Sequence, residues 1–441
     1  MNAIFPLFVS SDHELNVTYQ YRCELYQKHI KNIPTGHVIT EFLPDVGWAG
    51  IYNTISCAAS HHFREGRWMK DTSPLMEYAN FWCTEGNPRL YSFPIVDSIL
   101  ALAKVNGDIS AASDLYPKLR VIHQAWDDHK TADGMYTQFC GWDGMEYSIS
   151  GDGIRPTINS YMYADKMALA ALAQHNGDMK SAEIYRQDAD SLRSQINDRL
   201  WNDSIGMYGI LSEQGEAQNV REQIGYVPWI YGIPTPGHDD CFRYLLDPDC
   251  FLGKYGLRTA DASHPDYRKP FNHECLWNGP TWPFATAQTL TATIEYLQTT
   301  EQPTITRDEF MLLMLQYAYS HRDDDGSPML DENMDPETGI WLARDILRSK
   351  GYADRGMHYN HSTFIDLVMT GICGIRPSED NLLTIQPLGT SLDTFSVSVV
   401  HYHGHTLSIE WNNEEGLCAT VDGTRKYFCM ELEKPVLKIE L

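Results

Sequence analysis

Several loops of the sequence set carboxylates among glycine, proline and tryptophan, residues that stiffen a turn and hold a side chain still. Asp143 and Glu146 stand in GWDGME beside Trp142. Asp331, Glu332, Asp335 and Glu337 stand in LDENMDPETG, Glu65 in HHFREGRW and Glu222 in VREQIGY. Two carboxyls about 6.5–9.5 Å apart, one protonated and one ionised, leave room for a water and can cleave a glycosidic bond with inversion. The protonated member gains from a dry aromatic neighbour, because burial disfavours its charged form. Trp142 is such a neighbour for Asp143, which heads the candidates for the acid, with Glu146 orienting the loop. Each acid taken singly also has a plainer use, since Asx-Gly turns are common. Asp323, Asp324 and Asp325 in DDDGSP read as solvated charges.

Other constellations carry other chemistry. HECLWNGPTWPF, residues 273–284, fixes two indoles on a stiff backbone, which suits a platform for a sugar ring or equally a rigid lid. His358 and His361 in HYNHST are three residues apart with no third ligand in helical register, so hydrogen bonding is favoured over a metal. These histidines and their tyrosine would be the centre of a lyase or epimerase. That alternative stays open, as does a non-catalytic carbohydrate-binding protein. There is no Gly-x-Ser-x-Gly elbow, phosphate-binding glycine loop or dinucleotide fingerprint, and no metal or cofactor is expected.

These loops need a scaffold. The chain has 441 residues, 43% of them hydrophobic, enough for one large core and a small second unit. A net charge of −25 argues against nucleic acid or an anionic membrane as partner. ALAKVNGD (101–108) and ALAQHNGD (171–178) repeat 70 residues apart. Each ends an apolar helical stretch at Asn-Gly and offers Asp as the next N-cap. Ala182, Tyr185, Ala189, Leu192, Ile196 and Leu200 follow at helical spacing, as do Ala112, Leu115, Leu119, Ile122 and Trp126, with Pro117 as a kink. Each repeat is thus a helical hairpin followed by a long excursion. A period near 70 leaves room for about six hairpins, and further helices are expected at 284–297, 307–320 and 362–371. Unequal, Trp-rich excursions favour an all-α (α/α)6 barrel over residues 1–378 rather than an open solenoid. Residues 379–441 alternate Val, Ile, Thr and Leu with turns at His403–Gly404 and Asp422–Gly423 and read as a small C-terminal antiparallel β domain. Ten cysteines without a CxxC pair, and a start, MNAIFPLFVSSDHEL, without a basic leader, point to a cytoplasmic setting for the chain as written. A periplasmic or secreted setting would follow if a native leader had been removed.

The motifs resemble those of the six-hairpin glycosidases, most closely the mannosylglycerate-hydrolase-like group related to glycoside hydrolase family 63 and trehalase. The likeness is carried by GWDGMEYSISGDGIRPTINSYMYAD (141–165), CLWNGPTWPFATAQTL (275–290), DENMDPETGIWLAR (331–344) and YNHSTFIDLVMTGICGIRP (359–377). It implies an (α/α)6 barrel carrying an inverting, exo-acting hydrolase of α-linked glucose or a related hexose. It implies Asp143 as general acid and Glu332, shortly before Pro336-Glu337-Thr338-Gly339, as general base. Trp277, Asn278, Gly279 and Trp282 match a substrate loop. Glu65, Arg67, Arg155, Tyr359, Asn360 and His361 are further candidates for sugar contacts. Many relatives carry an N-terminal β-sandwich, whereas this chain is expected to begin directly in helical sequence. The sugar, linkage, aglycone and oligomeric state are left open.

Overall fold

The computed structural model describes residues 4–352, 354–430 and 437–441. Both repeats form helical hairpins. Ile95–Asn106 is followed by Ser110–Asp114 and Tyr116–Gln124, and Pro156–His175 by Met179–Gln195. Asp178 caps its helix as the sequence offers, accepting from Ser181 N at 3.1 Å, whereas Asp108 stands one residue before the N-cap Ile109 and accepts from Ser110 N at 2.8 Å. The first repeat breaks between Asp114 and Tyr116, beside Pro117, where a kink is expected.

The two members of a hairpin have different surroundings. Pro156–His175 is buried on nearly every side, as its small and apolar residues allow, whereas Met179–Gln195 buries only Ala182, Ala189 and Leu192. A helix apolar all round belongs inside, and one with a single apolar stripe belongs outside. The inner helices are Ala59–Gly66, Ile95–Asn106, Pro156–His175, Val227–Ile230, Pro283–Thr299 and Phe364–Leu367. Each packs on the next and the last packs on the first, closing a ring. His13–His29 and Arg307–Tyr319 pack against each other outside it. Close approach requires a glycine at Gly66, where a Cβ would lie 2.2 Å from the Tyr26 hydroxyl oxygen and 2.9 Å from Leu75 Cδ1.

The β region departs from its expected bounds. The chain opens with a strand rather than a helix: Leu7–Ser10 pairs antiparallel with Thr394–Tyr402, Leu7 facing Ser398. That strand is the edge of a five-stranded sheet whose other members are Thr394–Tyr402, His405–Asn412, Gly416–Val421 and Thr424–Cys429. Leu382–Ile385 pairs with Leu437–Glu440 on one side and Ile375–Arg376 on the other. The sheets therefore recruit strands from both ends of the helical region, and a cut at 378 passes through one of them. Alternation of Phe8 and Ser10 (buried) with Leu7 and Val9 (exposed) is the period of two that seats this strand. Four apolar or small residues before a helix cap carry too little pattern to separate a strand from a helix start. No described helix is long and apolar enough to cross a membrane.

Candidate active site

The segments leading into the ring helices meet at one end of the ring, around a cavity of ≈ 220 Å³. Glu41, Phe42, Trp48, Ile55 and Cys57 come from the segment before Ala59–Gly66, and Tyr91 from that before Ile95–Asn106. Gly144 and Glu146 precede Pro156–His175. Glu274, Cys275 and Trp282 precede Pro283–Thr299, and Glu332, Arg355, Tyr359 and His361 precede Phe364–Leu367. Pro156 and Pro283 at the helix starts explain the abrupt entry. Proline suits a first turn, and it keeps the residue before it extended, as Arg155 and Trp282 are.

The GWDGME turn sends its two acids to different places. Cys140–Asp143 forms a single 3₁₀ turn that Gly144 ends at φ +76°. A Cβ on Gly144 would lie 2.4 Å from Cys57 Sγ, so both conformation and packing demand glycine. Asp143 turns inward and is buried away from the cavity. Its Oδ2 accepts from Arg155 Nε at 2.8 Å, Gln138 Nε2 at 2.9 Å and Thr157 Oγ1 at 2.6 Å. Its Oδ1 accepts from Arg155 Nη2 at 3.4 Å. Both oxygens of Asp143 are thus taken up by side chains of the protein itself. Glu146 emerges beyond the glycine and lines the cavity, and its backbone carbonyl accepts from Trp277 N at 3.1 Å. Glu222 supports this loop from the segment before Val227–Ile230. It accepts from Ile149 N at 2.7 Å and from the Ser150 hydroxyl.

Glu332, lining the same cavity, is buried and accepts from Arg355 Nη2 at 3.0 Å and 3.3 Å, one contact to each oxygen. Arg355 also reaches Glu274 at 3.2 Å and lies over the ring of Trp48 at 4.6 Å. Burial pushes Glu146 up to about 7, helped by the charges of Asp143 and Glu41. Burial likewise pushes Glu332 up to about 8, against the pull of Arg355. Both charges act on the thiol of Cys275, which burial already holds high. The two carboxyls thus face one small, poorly solvated space, and only Glu332 is bonded to a cation.

Of the expected sugar contacts, Trp282, Tyr359 and His361 line the cavity with Glu332. The others stand behind it. Trp142 packs on His129 and Phe139, its rings 5.0 and 4.9 Å from theirs, so it does not dry a catalytic acid. Arg155 is bound to Asp143. Glu65 pairs with Arg22 at 3.3 Å and accepts from Ile365 N at 2.8 Å, tying down the start of the last ring helix. Arg67 pairs with Asp366 at 2.7 Å, and Asn360 accepts from Arg22 Nη2 at 3.1 Å. Trp277 stacks behind Trp282, centroids 4.1 Å apart. Asn278 donates to Lys269 O, and Gly279 is packed against Tyr267. These residues set the walls and do not form them.

Glu41, Trp48, Glu274 and Arg355 complete the cavity without having been singled out. Glu41 does stand in a loop of the right kind, EFLPDVGW, punctuated by proline, glycine and tryptophan. Arg355 in ADRGMH carries no such sign. The folding back of the segment they share brings it to Glu332, 23 residues earlier.

A family model described as mannosylglycerate hydrolase MGH1-like glycoside hydrolase domain matches residues 51–362. No curated protein matches the chain. Among solved structures, one named "Sialidase" is 34% identical with a TM-score of 0.92, over 97% of this chain and 41% of that one. A GH78 family rhamnosidase from a Bacillus species is 14% identical with a TM-score of 0.64, over 95% of this chain and 42% of its own. The GH63 mannosylglycerate hydrolase from Thermus thermophilus in complex with glucose is 13% identical with a TM-score of 0.58, over 80% of this chain and 99% of its own. The chain spans less than half the length of the first two, and the last two share the fold alone.

Proposed function

Because the chain belongs to the family of mannosylglycerate hydrolase MGH1-like glycoside hydrolase domains, we propose that it hydrolyses a glycosidic bond with inversion, Glu146 acting as general acid and Glu332 as general base. The role expected of Asp143 passes to Glu146, since Asp143 is committed to Arg155, Gln138 and Thr157. The observation that carries the reading is a buried and a half-buried carboxyl on one cavity, only the buried one bonded to a guanidinium. A cationic partner favours the ionised form and its absence favours the protonated one. On partners alone that casts Glu332 as base and Glu146 as acid; burial nevertheless holds Glu332, at about 8, above Glu146, at about 7, so the productive form is the minor arrangement of the proton.

In this reading Glu146 protonates the departing glycosidic oxygen while Glu332 takes a proton from a water attacking the opposite face of the sugar. Trp282 offers its indole face to the ring. Gathering of the site at one end of a closed helical ring supports the (α/α)6 description of the fold. A small cavity walled by several loops supports attack on a terminal residue, with α-linked glucose or a related hexose as the first substrates to try. Proton NMR of the first-formed product on a panel of α- and β-linked glycosides tests the proposal. A first anomer opposite to that of the substrate is expected, and the same anomer rules out inversion.

A further inference from the structure

The acid–base pair leaves two carboxyls of the cavity unused, and they differ. Glu274 is engaged. Burial works against its charge, yet Lys350, its own backbone N–H and Arg355 hold it down to about 2. Glu41 is engaged on one oxygen only. It is 4% exposed, and its Oε1 lies 2.7 Å from His361 Nε2. Its Oε2 is buried without a hydrogen-bond partner among the described residues. The imidazole is fixed from its other side by the hydroxyl of Tyr359 at Nδ1. The approach of Nε2 to Glu41 lacks hydrogen-bond geometry, so Nε2, like Glu41 Oε2, is buried without a hydrogen-bond partner among the described residues. A desolvated oxygen without a partner is unfavourable, and a ligand hydroxyl in the cavity would supply the missing bond.

The cavity has little to offer an anion. Arg355 is the sole lysine or arginine among the described residues that line it. Its Nη1 and Nη2 bind Glu274 and Glu332, leaving only Nε without a partner. One N–H can serve a hydroxyl, whereas a carboxylate is gripped by paired parallel donors. An acidic sugar would add one more desolvated carboxyl to Glu41, Glu146 and Glu332, with no free cation among the described residues to pair with it.

We propose that Glu41 grips a hydroxyl of an uncharged sugar ring in this cavity, and that the cavity turns away sugars carrying a carboxylate. The inference rests on the reading of the cavity as the sugar site and names the class of sugar it takes. Glu41 is here a specificity-determining residue, standing beside the Tyr359–His361 pair.

Free monosaccharides are not hydrolysed, so wild-type protein can be titrated directly by calorimetry at pH 7. The probes are glucose, mannose, rhamnose and arabinose against glucuronate, galacturonate and N-acetylneuraminate. At least one neutral sugar is expected to bind, at least about tenfold more tightly than every acidic one. Glu41→Ala is expected to weaken the neutral sugar about tenfold or more, and Glu41→Gln, which keeps a donor and an acceptor, to restore it to within about threefold. The proposal is overturned by an acidic sugar that binds as well as the best neutral one, by binding of none of the neutral sugars, by an Ala variant of unchanged affinity, or by a Gln variant as weak as the Ala variant. The wild-type titration decides even where the Ala variant fails to fold. Failure of the acid–base assignment is seen separately, as hydrolysis that survives Glu146→Gln and Glu332→Gln while sugar binding is as expected.

Discussion

Glu146 is half-buried and Glu332 buried, and only Glu332 has a cationic partner, with a consequence in pH. Burial raises Glu146 from the ordinary glutamate range to about 7 and Glu332 to about 8. Productive enzyme needs Glu146 protonated and Glu332 ionised. Raising the pH through about 7 removes the proton from the acid, and lowering it through about 8 neutralises the base. The expected profile of kcat/KM is a narrow bell with its maximum between these values and only a minority of molecules productive at the peak. A profile flat from pH 5 to 9 contradicts both roles. GWDGME is legible in the sequence as a loop built for an acid, but which of its acids faces the cavity is not. That choice is made by Arg155, Gln138 and Thr157, which claim Asp143, and by Gly144, which turns the chain before Glu146.

At the scale of elements, the site depends on ring helices held close enough for their leading segments to meet. Ala59–Gly66 is held where the hydroxyl of Tyr26 on His13–His29 donates to His62 O at 2.7 Å, beside Gly66. Gly66→Ala puts a methyl group onto that hydroxyl and onto Leu75, and overpacking of this kind costs about 1–3 kcal/mol. Chemical denaturation should show the loss as a lower midpoint at unchanged slope. Full stability in this variant would mean the outer helix is free to move, against the tight packing described here. The hairpins at the two NGD turns are legible because cap, stop and apolar spacing agree. Val227–Ile230 and Phe364–Leu367 are ring members of a single turn each, too short for any periodicity to reveal. Their places follow from the neighbours they bridge.

For the whole molecule, closure of the ring is what turns separated segments into one site, joining Glu41 near the start of the helical region to Arg355 near its end. The same long-range pairing brings Leu7–Ser10 onto the C-terminal sheet, which is why a boundary drawn from local pattern misplaces that strand. The two NGD hairpins and a β-rich end are readable; partners hundreds of residues apart are not, since charge and composition do not encode who meets whom. The central claim is that Glu146, and not Asp143, delivers the proton to the leaving group. It is tested most directly by the rate of Glu146→Gln on a substrate with an alkyl leaving group and on one with a nitrophenyl leaving group that departs without protonation. We predict a loss of about 10²–10⁴ on the alkyl glycoside and a far smaller loss on the nitrophenyl glycoside. An equal loss on both, or a leaving-group-dependent loss in Asp143→Asn but not in Glu146→Gln, would contradict the account.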